Sequence, residues 1–136
     1  MLDIVSDLAL YCRETGVTPF EYGAHDCGMW CAGWLDRRAG GSRFKEGLRA
    51  LYRDKRSAVR MLRDVGHRYQ LLVEPFLGPP LPRLTLQVGS VVVIRASWHR
   101  DGLGILAPSQ VIGLAASGQV LALPRDVIVE GWPCPR

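Results

Sequence analysis

Four prolines crowded between positions 75 and 82 (Pro75, Pro79, Pro80 and Pro82) cut the chain into two parts that cannot share one kind of secondary structure. Proline removes a backbone donor and fixes φ, so neither a regular helix nor a central strand is expected to run through this stretch. Before it, apolar residues recur at helical spacing. After it, the apolar runs are short and β-branched. The expected fold class is therefore α+β, with N-terminal helices packed on a C-terminal antiparallel β-meander. A chain of 136 residues fits one domain, 1–136. Its helical part covers about 1–66, an extended wrapping connection about 67–87, and the β part about 88–130.

Within the helical part, residues 2–14 place apolar side chains at 4, 5, 8, 11 and 12, and Gly16 and Pro19 supply the stop. A second helix is expected over 27–39, with Trp30, Cys31, Trp34 and Leu35 on one side and Gly40 and Gly41 ending it. Ser42 is the expected cap of a third helix through residue 51, and Ser57 that of a fourth through 65, with Leu48, Leu51, Val59 and Leu62 inward. Gly66 closes this half. Strands are expected over 88–94, 103–107, 110–115, 119–123 and 127–130, separated by turn-forming Gly, Pro, Ser and Asp residues. Trp98 stands at a turn, and Trp132 precedes Pro133 and Pro135 in a tail expected to be irregular. Both tryptophans read as partner-facing.

The formal charge is +4, and it is uneven. Between Asp36 and Arg68 eleven basic residues stand against four acidic ones, so that this segment alone carries +7. Such a segment suits an anionic polymer or an acidic protein, or it is simply a solvated helix face. Only Phe44 and Tyr52 interleave with the charges, which argues against single-stranded nucleic acid as the partner. Four irregularly spaced cysteines do not make a disulfide framework, so reduced thiols are expected. Acidic residues Asp3 and Asp7 break up the amino terminus, unlike a signal peptide, and no stretch is long and apolar enough for a membrane segment. Synthesis and folding in the cytoplasm are expected.

Residues 20–35 carry the chemistry. Tyr22 and Gly23 make a bend, Asp26 stands at an N-cap position and Cys27 follows at the first helical position. There the helix dipole favours thiolate, the nucleophilic and metal-ligating form. Two readings are open: a polarised cysteine, or a cap followed by a small buried residue. A third is a metal-binding interaction module. Cys27 and Cys31 lie one helical turn apart, and His25 or Cys134 could complete the set.

A helix opened by Asp-Cys, then a Gly-led hydrophobic strand, then a strand ending in Gly-Ile resembles the NlpC-like cell-wall cysteine peptidases, which have a papain-like fold. The residues that carry the likeness are Asp26-Cys27-Gly28, Gly89-Ser90-Val91-Val92-Val93, Gly102-Leu103-Gly104-Ile105 and the hairpin around Gly118, spanning about 22–123. The Tyr-Gly-x-His-Asp-Cys-Gly motif at 22–28 and the Trp-rich helix after it are most similar to the small branch found at bacteriophage tail tips and baseplate hubs.

The resemblance implies that Cys27 stands at the nucleophile position and that a histidine belongs where Gly102 stands. Ser90 replaces the usual aspartate, and the strand at 111–115 offers no polar side chain for the third catalytic role. Two histidines are candidate substitutes, His99 on the hairpin before Gly102 and His25 in the loop before Cys27. An offset of three puts His99 on the opposite strand face, so it serves only if the hairpin bends back. A thiolate without a positioned acid cannot protonate a leaving amine. The leading expectation is thus a virion tail-tip structural protein without hydrolytic activity, synthesised in the host cytoplasm, whose partners are other tail-tip and hub proteins. The alternative is an active peptidoglycan endopeptidase or amidase using Cys27 during genome delivery. No cofactor is implied.

Overall fold

The computed structural model describes residues 2–95 and 101–135. Those residues form five helices followed by a six-stranded antiparallel sheet, the expected α+β layout. None of the helices is long and apolar enough to cross a membrane. Trp98 and His99 lie outside the described residues.

Helix α1 (Ile4–Thr15) starts where the Asp3 carboxylate accepts from the Ser6 backbone N–H at 2.9 Å. It buries Leu8 and Tyr11 against α2 (Cys27–Ala39), the helix at the centre of the core. Asp7 fastens the two together by accepting from Arg37 at 2.8 Å and Arg38 at 2.9 Å. Two of the clustered cations are thereby spoken for. Trp30 and Trp34 are almost fully buried, and each indole N–H has a partner, Thr15 Oγ1 at 2.9 Å and the Gly89 carbonyl at 2.8 Å. At about 25 cal/mol per Å² and roughly 150–250 Å² per ring, each ring contributes on the order of 4–6 kcal/mol before ordering costs.

Helix α3 (Arg43–Arg49) is not capped by Ser42, whose hydroxyl donates to Glu46 instead. The buried Asp36 carboxylate, reaching from α2, accepts from the backbone of Phe44 at 2.8 Å and Lys45 at 3.0 Å and does the same work. Helix α4 (Lys55–Asp64) begins earlier than expected. Asp54 is its cap, and Ser57 is the reciprocating third residue of a capping box. Leu48 and Leu62 turn inward, whereas Leu51 and Val59 stay exposed.

The connection holds the largest departure from the sequence expectation. Residues 69–77 form helix α5 (Tyr69–Leu77) with Pro75 inside it. Pro75 is exposed and near the helix end, where it forfeits one backbone bond, while Tyr69, Val73 and Leu77 pack against the core. Tertiary burial offsets the local cost. Gly78, at φ 81°, ends the helix, and β1 (Leu81–Pro82) then pairs with the last strand.

The other strands are β2 (Val91–Ile94), β3 (Gly102–Leu106), β4 (Val111–Leu114), β5 (Val120–Leu123) and β6 (Ile128–Trp132). Their order is β1-β6-β2-β3-β4-β5. The meander holds from β2 to β5, but β6 crosses back to pair with β2, with a register shift between Val93 and Ile94. Strand β2 is central and buried on both faces, as its unbroken valines imply. The tail is more regular than its prolines suggest. Trp132 is wholly buried at the end of β6 and donates to the Gly78 carbonyl at 2.7 Å, so it faces the core rather than a partner.

Candidate functional site

The site is built from the loop that leads into α2. Glu21 and His25 exchange backbone hydrogen bonds, Glu21 N–H to His25 O at 2.9 Å and His25 N–H to Glu21 O at 2.8 Å, closing a tight turn. Gly23 sits in it at φ 86°, with its missing Cβ directed at the Arg53 backbone, so only glycine fits. The turn delivers Asp26 to the N-cap. One carboxylate oxygen accepts from Met29 N–H and the other from Gly23 N–H, both at 2.8 Å. The Tyr52 hydroxyl reaches both oxygens, at 2.6 and 2.7 Å. Asp26 is 3 % exposed, and these donors make a buried carboxylate tolerable. Burial and the Asp26 charge together raise the Tyr52 phenol above its ordinary range, keeping it a neutral donor.

Cys27 follows at the head of α2, which packs on β3. Burial pushes its thiol up, and the adjacent Asp26 charge pushes it further. The Leu103 backbone N–H, the Tyr69 hydroxyl and the Gly28 N–H pull the other way without reversing the shift. The thiolate expected from the helix dipole is therefore not favoured, because a low-dielectric surrounding and a carboxylate neighbour outweigh the dipole. Cys31, one turn on, is raised well above its usual value by burial and by Cys27 and Asp26. Both thiols are protonated at neutral pH.

Beside Cys27 lies a cavity of about 160 Å³ between α2, the inner faces of α4 and α5, and the sheet. Tyr52 and Tyr69 line it. Local sequence pattern does not reveal these two residues, which stand far along the chain. The one available signal is chemical, since a buried capping carboxylate calls for a further donor.

Neither His25 nor His67 lines this cavity. His25 braces the loop through its backbone. Its Nε2 is buried without a hydrogen-bond partner, and burial, then Lys45, lower its pKa despite Asp26 nearby. The position of His99 lies outside the described residues. Of the candidate metal ligands, Cys27 and Cys31 come together, but Cys134 lies beside Arg38 and Asp7 in a separate cavity with Ile4. Among the described residues no three Cys, His, Asp or Glu side chains gather in a metal-binding group.

Ser90, where the resemblance expects aspartate, donates from its hydroxyl to the Gln87 carbonyl at 2.7 Å and closes the turn into β2. On β3, Gly102 and Leu103 stand in the register that pairs them with Ile94 and Val93. The described part of the site thus brings the neutral thiols of Cys27 and Cys31, the phenol rings of Tyr22, Tyr52 and Tyr69 and a fully bonded carboxylate to an apolar cavity. That set can bind and orient, but it supplies no general base.

A family described as a domain of unknown function (DUF6950) matches residues 3–134, and the chain belongs to that family. No curated protein matches the chain.

Proposed function

We propose that this DUF6950 member is a papain-like, NlpC-type domain that has lost hydrolytic activity and serves as a structural component of a bacteriophage tail tip, at the baseplate hub. One observation carries the reading. Cys27, which the resemblance puts at the nucleophile position, stands at the head of a helix packed on β3 with its thiol held neutral, and β3 carries Gly102 and Leu103 where the resemblance expects a proton acceptor. Losing one member of such a catalytic unit costs several orders of magnitude in rate. Retention of the scaffold without its acid fits selection for shape and assembly rather than turnover.

The tail-tip assignment rests on the Tyr22-Gly23-Ala24-His25-Asp26-Cys27-Gly28 motif and the tryptophan-rich α2. It is supported by the outer face of α4, where Lys55, Arg56, Arg60 and Arg63 are exposed around Val59. None of these four cations has a salt-bridge partner among the described residues. A basic face of this kind suits an acidic patch on a neighbouring hub protein. The domain would be made in the host cytoplasm and carried in the virion tail.

The test has two arms. Purified protein incubated with bacterial sacculi is expected to release no soluble muropeptides, and mass spectrometry of purified virions is expected to find the chain. Release that disappears in Cys27→Ser supports an active peptidoglycan endopeptidase or amidase and overturns the degenerate reading. Absence from virions overturns the tail-tip assignment.

A further inference from the structure

The cavity beside Cys27 has a chemistry of its own. It measures about 160 Å³, close to the size of apolar cavities of about 150 Å³ that stay dry and take up benzene or xenon. Most of its wall is aliphatic or aromatic, with Leu62 on α4 and Leu72 and Val73 on α5 among the lining groups. The one charged member and the tyrosine bound to it are already occupied. Asp26 accepts from Met29, Gly23 and Tyr52, and the Tyr52 hydroxyl is spent on that carboxylate. Among the described residues the one buried side-chain polar atom without a partner is His25 Nε2, and His25 does not line the cavity. The other polar groups on the wall are the Tyr22 and Tyr69 hydroxyls and the Cys27 and Cys31 thiols, and no cation offers itself to an anion. The outer wall is also thinly consolidated: α5 contributes no fully buried residue, and Phe76 is 36 % exposed although it lines the cavity. A wall of this kind can yield to admit a guest.

We propose that this cavity is a binding site for an uncharged hydrocarbon group of roughly six carbons, inserted between α5 and the head of α2 with its inner end against Cys27. The guest gains the dispersion contacts that an empty cavity forfeits. An anionic guest is rejected, because Asp26 lies in the wall and no positive charge balances it. The inference rests on the proposed function only in that the guest is held and not cleaved.

Benzene is the test ligand and benzoate its charged counterpart, each added to the full chain. Benzene at tenfold over its Kd is expected to raise Tm by roughly 4 °C. It is also expected to slow alkylation of Cys27, measured on the isolated peptide so that Cys12, Cys31 and Cys134 do not contribute. Benzoate is expected to do neither. Val73→Phe fills the cavity from the yielding wall and should abolish both effects while leaving the protein's own Tm unchanged or higher. Leu62→Phe, from α4, serves the same end if the first variant misfolds. Cys27→Ser should still bind. The inference is overturned if benzene changes neither Tm nor Cys27 alkylation, if benzoate acts as well as benzene, or if the filled variants bind like the parent. Failure here leaves a negative sacculus digestion standing, and a positive digestion with intact benzene binding sinks only the degenerate reading.

Discussion

Asp26 shows how one residue can serve the backbone and the site together. Its carboxylate ends the loop, caps α2 and anchors Tyr52, and the same negative charge helps keep the neighbouring Cys27 thiol protonated. A charge-assisted hydrogen bond to a buried group is worth about 1.5–3 kcal/mol. Tyr52→Phe is therefore expected to lower unfolding free energy by about 2 kcal/mol, moving the urea midpoint down by about 1 M. An unchanged midpoint would mean that the two backbone donors suffice for Asp26. The position of Cys27 at the start of α2 is legible in the sequence, because Asp26 before it and the apolar spacing after it agree. Its protonation state is not legible. That depends on how deeply Tyr69 and β3 bury it, and a local motif carries no information about burial.

At the scale of the element, α5 is a helix held by its neighbours. It has no side-chain cap and contains Pro75, and its apolar face lies over the cavity. Restoring the missing donor with Pro75→Ala should stabilise the protein by about 1–3 kcal/mol, with a higher Tm and slower amide exchange confined to residues 69–77. A loss of stability would show that proline is needed for the turn into Gly78. This helix is hidden in the sequence because prolines argue locally for an extended chain, while the packing of Val73 and Leu77 argues from a distance. The caps of α3 and α4 are mistaken for a similar reason. Serines at 42 and 57 fit the pattern, but Asp36 from another helix and Asp54 three residues earlier hold the free N–H groups. By contrast, the buried valines of β2 and the start and end of α2 are legible, since pattern and packing agree there. The return of β6 to β2 is a pairing choice that no single strand encodes.

For the whole molecule, ionisation sets a window of stability. Asp3, Asp7 and Asp54 are held below the usual carboxylate value. Hydrogen bonds from Ser6 and Ser57 lower the exposed two, and for Asp7 the Arg37 and Arg38 guanidiniums outweigh burial. Their contribution is present above the unfolded value of about 3.9 and is lost as pH falls through the folded ones. His25, also lowered, contributes above about 6.5 and loses that contribution as pH falls. The four thiols are raised, with burial the first cause in each, so their contribution is full below about 8.5 and is lost as pH rises. Calorimetric Tm should therefore be highest at about pH 7–8 and fall on both sides. A Tm that stays level up to pH 10 would contradict the burial of these thiols.

The central claim is that Cys27, at the head of α2, is held as a protonated thiol, and its own reactivity tests this most directly. The rate of Cys27 alkylation by iodoacetamide, followed across pH by mass spectrometry of its peptide, is expected to be low at neutral pH and to climb only above about pH 9. A rate already at its plateau at pH 6–7, the mark of a thiolate paired with an imidazolium, would contradict the account and restore a catalytic role.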